Sequence, residues 1–404
     1  MKPVIVHKYG GSSVADIDRI RQVARQVSDC AEAGNGVVVV VSAMGKTTDV
    51  LLQMARELAP EPARRELDML LSVGERITMA LLSIAINQMG HEAISFTGSQ
   101  CGILTTDSHS NARIIEVRPF RIQDELEKNK VVIVAGFQGV SYKREITTLG
   151  RGGSDTTAIA LAAALDAERV EIYSDVDGVH SADPRVVEDA YRLDQIDVDE
   201  MMMLSKSGAR VMAGDALEYA RKRNIAVYAK STTAPESPGT VIRRNPVVDD
   251  RQFTAVAGKK DVLCLQFKGS VELTDQADLF ACLNEVGGQS VMPFMSHISF
   301  SGHVGGTFLY SAENLHERAA FEARVKELFG ERVFLRDDIG TVTLVGSGIT
   351  EERATHARIT AFLQEHRHLI GQVFFAPLGV TMLVQASDVD HLVRDTHELF
   401  LRKN

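Results

Sequence analysis

The sequence predicts an α/β protein: a three-layer N-terminal part around a mostly parallel sheet, followed by an α+β C-terminal part. Three observations carry that prediction. Up to about residue 245, short apolar runs alternate with segments of helical periodicity, as β-α-β units require. The runs are apolar nearly throughout, as strands buried on both faces must be. Further on, the order changes to strand, helix, strand, strand, and that order recurs once.

Taken in order, Val4–His7 is the first strand and Gly10-Gly11 its turn. A helix follows, because Ile17, Ile20, Val23 and Val27 recur at helical spacing. Val37–Ser42 is the next strand, and Asp49–Leu58 and Glu66–Met89 are helical. Further strands fall at Ala93–Phe96, Val131–Ala135, Val170–Tyr173 and Ile225–Tyr228. Ala234–Val248, with three prolines, reads as an exit and linker. Beyond it lie strand Val262–Phe267, helix Thr274–Glu285, the pair Gly287-Gly288, a strand near Ser290–Met295 and another at Gly306–Tyr310. A second round opens at Val342–Val345, with helix Glu351–Glu365, strands Val373–Phe375 and Val380–Val384, and helix Val389–Leu401. The element order suggests two ferredoxin-like modules. The expected domains are therefore 1–246, 258–335 and 338–404.

Composition narrows the function classes. The chain has 404 residues, 45% of them hydrophobic and 24% charged, as in a soluble globular protein. Its net charge of −10 argues against nucleic acid or anionic membrane as the main partner. No apolar run is expected to approach the roughly 20 residues of a membrane helix. The N-terminal residues lack a signal-peptide apolar core, and the four cysteines show no metal or disulfide spacing. A cytoplasmic protein with reduced thiols and no metal ligand set is expected.

Four loops carry chemistry. Gly150-Arg151-Gly152-Gly153-Ser154-Asp155-Thr156-Thr157 is a glycine turn opening a helix. Glycines let backbone N–H groups approach an anion, and the positive end of the helix dipole faces it. Lys8-Tyr9-Gly10-Gly11-Ser12-Ser13 is either a phosphate cradle with a lysine charge or an ordinary strand–helix turn. Gly45-Lys46-Thr47 invites a P-loop reading that fails, because the required upstream glycine is Val40. The hydroxyls of Ser42, Thr47 and Thr48 are left to contact a substrate carboxylate or to cap a helix. Glu75, in an apolar helical stretch, either pairs with Arg76 or a nearby cation, or binds a ligand amine, and sequence alone favours the ion pair. Ser174–Arg185 follows an apolar strand with Asp175, Asp177 and Asp183 in one loop, suited to a ribose and a Mg²⁺-phosphate end.

In this order, KYGGSS, VSAMGKTTD, GER, SFTGSQ, GFQG, TTLGRGGSDTTA and SDVDGVHSADPR resemble the aspartokinases of the amino acid kinase family. The resemblance is dense over about residues 1–245 and looser beyond, where that family carries two regulatory ACT modules. It implies an amino acid kinase domain that transfers the γ-phosphoryl of MgATP to the β-carboxylate of L-aspartate, the first step toward lysine, threonine and methionine. The partners implied are L-aspartate and MgATP, with a homo-oligomer formed through ACT-like modules. By the resemblance Lys8 and Asp155 are catalytic, and Thr47, Glu75, Arg151 and Ser154 hold aspartate. Gly10, Gly11, Ser12, Gly152, Gly153, Ser174, Asp175, Val179, His180, Asp183, Pro184, Arg185 and Arg210, with Lys8, hold the nucleotide. A non-catalytic ligand sensor and a kinase for another acidic amino acid are the competing readings.

The chain departs from the family pattern in several places. His180 stands where a tyrosine is usual, and Arg210 where a lysine is usual. The turns Lys268–Glu272 and Gly346–Thr350 lack the proline of family effector turns, and Phe374-Phe375-Ala376-Pro377-Leu378 replaces a Ser-Thr-Ser-Glu-Ile segment. Feedback inhibition by lysine or threonine is therefore expected to be weak or absent.

Overall fold

The computed structural model describes residues 2–150, 152–209, 211–246, 252–268, 271, 273–286, 295–297, 305–312, 315, 318–347, 349 and 353–402. They form two compact units. Met1–Val179, Arg192–Met201 and Arg210–Val248 make one; His180–Tyr191, Met202–Ala209 and Asp249–Asn404 make the other.

The first unit begins with β1 (Val4–Tyr9), α1 (Ile17–Glu32), β2 (Gly36–Val41), α2 (Thr47–Leu58), α3 (Arg64–Leu71), α4 (Val73–Gln88) and β3 (Ala93–Phe96). Next come β4 (Ile103–Thr105), β5 (Ile114–Val117), α5 (Phe120–Glu127), β6 (Val131–Ala135), β7 (Gln138–Ser141), β8 (Ile146–Thr148) and α6 (Gly153–Ala164). After β9 (Arg169–Ser174), β10 (Gln195–Asp197), α7 (Val198–Lys206, counted with the second unit from Met202 on) and α8 (Gly214–Arg223), the strands β11 (Val227–Ser231) and β12 (Thr240–Arg243) end the series.

Eight strands form the main sheet in the order β10-β12-β11-β9-β1-β2-β6-β3. Its central strands are parallel, and β12 runs antiparallel to β11. Strand alternation sorts the side chains. Tyr9, Val37, Val39, Val41 and Ile133 pack with Ile20, Val23 and Val27 of α1 and Leu82 and Ile86 of α4. Lys8 points the opposite way, toward α6, which is buried almost all round. A second sheet, β5-β4-β7-β8, lies within the same unit.

Three expectations are corrected here. The helix expected at Glu66–Met89 is two helices that meet at Ser72, whose carbonyl accepts a hydrogen bond from Gln138 Nε2 (2.8 Å). The joint stretch Arg64–Gln88 is, by length and composition, apolar enough to cross a membrane (mean hydropathy 1.6). Its break at Ser72, its buried Asp68 and Glu75 and its packing on β3 and β6 instead mark it as a core element. The expected linker Ala234–Val248 contains β12, which pairs with β10 and β11 because its prolines stand outside Thr240–Arg243.

The second unit contains β13 (Ala255–Phe267), α9 (Leu273–Val286), β14 (Met295–His297), β15 (Gly305–Ser311), α10 (Arg318–Phe329) and β16 (Val333–Val345). It continues with α11 (Arg353–Glu365), β17 (Ile370–Ala376), β18 (Gly379–Gln385) and α12 (Val389–Phe400). The two rounds of elements share one antiparallel sheet, β14-β15-β13-β16-β18-β17. The 13-residue strands β13 and β16 pair along its middle, with register irregularities between Lys259 and Cys264. Each half has the ferredoxin-like strand order, and the start of β13 supplies the fourth strand of the second half. One core gathers Leu263, Leu265 and Phe267 with Leu279, Phe321 and Val325. The other gathers Val256, Val342 and Leu344 with Ile359, Phe362 and Leu392, and includes Ala182 and Val187. The boundaries expected at 258 and at 335–338 thus fall within β13 and β16.

Candidate active site

Ligands of parallel α/β sheets bind beyond the carboxyl ends of the strands, where the strand order reverses. Here β1 lies between β2, the next strand in the chain, and β9, a much later one. The turns after β1, β2 and β6 converge at that end with the N-terminus of α6. They enclose a cleft of about 300 Å³ that Lys8, Gly10, Gly11, Glu75 and Asp155 line. A larger concavity of about 390 Å³ lies on the outer face of α2, between Asp49, Leu52 and Arg56, with no converging set of functional groups.

Gly11 must be a glycine, because a Cβ there would come within 2.9 Å of the Ala43 carbonyl and 3.1 Å of that of Gly45. This close approach presses the first glycine turn against the turn after β2, where Gly45 N–H donates to Gly11 O (3.0 Å). Gly10 N–H donates to Tyr173 O (3.2 Å), which ties the same turn to the end of β9. Opposite, Gly152 at φ +71° caps α6, and Gly153, Ser154 and Asp155 form its first turn at the cleft. Gly153 N–H donates to Gly150 O (3.1 Å) and Asp155 N–H to Gly152 O (3.0 Å), and the positive dipole end of the helix lies there.

Lys8 Nζ lies 2.6 Å from Asp155 Oδ1, and both side chains are about one-tenth exposed. The pair holds a cation at the helix N-terminus, where a transferring phosphoryl group needs one. Glu75 is 3% exposed. Its Oε1 accepts from Ala43 N–H (3.1 Å), while its buried Oε2 has no hydrogen-bond partner. Burial pushes its carboxyl up to about 7 against the pull of the backbone N–H groups. The alternative ion pair with Arg76 is ruled out by the geometry, since Arg76 Nε donates to Gln138 Oε1 (3.3 Å). An orphan acid facing a cleft suits a ligand ammonium.

The other expected residues divide into groups. Lys8, Gly10, Gly11, Glu75, Gly152, Gly153, Ser154 and Asp155 come together in the cleft. Ser12 is exposed on the short helical turn after Gly11. Thr47 donates its hydroxyl to Met44 O (2.6 Å), and it is Thr48 that lines the cleft. Ser174 ends β9, next to Asp175, with its hydroxyl accepting from Val176 N–H (3.3 Å). Val179 is buried, its N–H donating to Thr240 Oγ1 (2.9 Å). His180, Asp183, Pro184 and Arg185 group with the second unit, where Arg185 forks onto Asp183 (3.0 and 2.6 Å). Arg151 and Arg210 lie outside the described residues.

Residue-by-residue reading missed Phe137 and Ala43 as cleft residues, while Ser42, expected as a possible substrate contact, does line the cleft. Phe137 holds φ +66°, rare for a bulky side chain, with its N–H donating to Thr157 Oγ1 (3.2 Å). The GFQG segment that contains it was the available sequence signal, and a Cβ on Gly153 would lie 3.0 Å from its Cδ2.

Comparison with known proteins shows the family of the chain. The amino acid kinase family model matches residues 3–231. The chain is 41% identical to an aspartokinase of Mycolicibacterium smegmatis and 40% identical to that of Corynebacterium glutamicum, covering 98% of this chain and 96% of each relative. Its fold matches E. coli aspartokinase III in complex with aspartate and ADP, with a TM-score of 0.85 and 24% identity over 99% of this chain and all of the other. The chain belongs to the amino acid kinase family and, within it, to the aspartokinases.

Proposed function

We propose that the cleft transfers the γ-phosphoryl of MgATP to the β-carboxylate of L-aspartate, giving 4-phospho-L-aspartate. The observation that carries this reading is the pairing of functions in one cleft: the Lys8–Asp155 cation at a helix N-terminus and the partnerless Glu75 oxygen. A side-chain carboxylate, with an ordinary pKa of about 3.9, needs no general base at neutral pH. The task is to bring two anions together and stabilise the charge between them. Glu75 receives the substrate ammonium, and Arg151, in the turn before α6, grips a carboxylate by its fork. Ser154 and the α6 N-terminus face the acceptor, while Lys8 and the Gly10-Gly11 turn take the transferring phosphoryl group.

Ser174, Asp175, Val179–Arg185 and Arg210 are assigned to the nucleotide, whose Mg²⁺ arrives on the phosphates. The protein acts in the cytoplasm, upstream of lysine, threonine and methionine. Residues 1–246 are the catalytic domain, and the regions 258–335 and 338–404 are ACT-like modules that assemble a homo-oligomer. Hydroxylamine trapping of the acyl phosphate, with aspartate, glutamate and N-acetylglutamate side by side, tests the activity. Product with aspartate alone is expected; ATP-dependent product only with another acid would overturn the reading.

A further inference from the structure

Asp68 of α3 is fully buried, and among the described residues no lysine or arginine pairs with it. Burying a carboxylate is costly unless donors replace its hydration. Here the donors are His109 Nδ1 (2.7 Å), Ser110 N–H (3.0 and 3.1 Å to the two oxygens), Ser110 Oγ (3.4 Å) and Thr148 Oγ1 (2.6 Å).

Those donors come from two segments that meet at one place. Thr148 ends β8, and its carbonyl accepts from Ala112 N–H (2.9 Å). Two residues later comes Gly150, at φ +75°. A Cβ on Gly150 would lie 3.1 Å from Asn111 Oδ1 and 3.4 Å from Ser110 O, so the 110–111 backbone backs the turn directly. The Gly150 carbonyl then accepts from Gly153 N–H (3.1 Å), the first residue of α6. One buried carboxylate therefore braces Gly150 and, through its carbonyl, Gly153 at the start of the helix in the cleft.

We propose that Asp68 is a positioning residue for the aspartate site: through Thr148 and Ser110 it sets the Gly150–Gly153 turn. The proposal rests on the reading that this turn grips aspartate. A sub-ångström loosening of a binding group weakens the ligand held by that group and spares the other.

Thr148→Val removes one donor with a side chain of the same shape, and Asp68→Asn removes the charge. In each, the KM for aspartate is expected to rise about tenfold while the KM for ATP, which keeps its other assigned contacts at Lys8, Gly10-Gly11 and Ser174–Arg185 besides Gly152 and Gly153 of this turn, stays within about twofold. Thr148→Ser restores the aspartate KM, and calorimetric titration of Thr148→Val with aspartate shows the same loss without turnover. Thr148→Val carries the test where Asp68→Asn does not fold. Unchanged aspartate KM in folded Thr148→Val, or an equal rise for both substrates, overturns the proposal. Arg151→Ala tests the underlying reading separately, since an unchanged aspartate KM there refutes the grip whatever the Thr148 variants do.

Discussion

At the scale of single residues, two side chains divide the chemistry by charge. Lys8 is held 2.6 Å from Asp155, so Lys8→Ala removes the cation from the phosphoryl site and leaves a carboxylate in its place. Turnover is expected to fall by at least about 100-fold, the size of a lost transition-state contact. Steady-state kinetics at saturating substrate, with circular dichroism to verify folding, measures it. Glu75 makes the opposite trade, because its ionised form is destabilised by burial and awaits a partner. Its folded pKa of about 7 lies above the ordinary 4.5. The folded state therefore binds the proton more tightly, and stability falls as pH rises between those values. Glu75→Gln escapes that cost. The variant should gain up to about 3 kcal/mol over the parent above pH 7, little below pH 4.5, and bind aspartate poorly. Unfolding midpoints across pH and an aspartate titration measure the two effects.

At the scale of elements, α6 decides where the site can be. The glycine turn from Gly150 marked the start of a helix in sequence, but the burial of that helix almost all round is a property of packing. Gly152 enters it in the left-handed region, with Ala213 directly against the position of a Cβ. Gly152→Ala should therefore cost at least about 1 kcal/mol from the backbone alone, with an added loss of turnover. Urea unfolding and kcat of the purified variant provide the test. The strands apolar throughout, such as Val37–Val41, were legible because burial on both faces leaves no room for polar residues. The short strands β4, β5, β7 and β8 were not, since three- and four-residue segments with mixed faces carry no period to detect. Pro235, Pro238 and Pro246 likewise hid β12, although none of them falls inside it.

At the scale of the whole molecule, element order predicted two modules after the first unit, and β13 and β16 join both halves into a single sheet. A strand shared by two cores looks no different, residue by residue, from a strand serving one. The effector turns at 268–272 and 346–350 fall partly outside the described residues, and both lack the family proline. Phe374 of the replaced segment is buried in the sheet, while Phe375 stacks on His356. An apolar strand has taken the place of a polar segment. Lysine and threonine are therefore expected to inhibit weakly or not at all in a titration of the purified enzyme; sub-millimolar inhibition by either would refute this.

The sequence by itself determined the class of the first unit, the order of its central elements and the loops that carry chemistry. Apolar periodicity and glycine turns are local signals, written within a few residues of one another. Tertiary structure alone decided that Lys8 meets Asp155, that Arg76 turns to Gln138 while Glu75 Oε2 is left without a hydrogen-bond partner, and that Asp68 accepts from Thr148, 80 residues away. Each of those pairings depends on which strands and helices become neighbours, and no single segment contains that information.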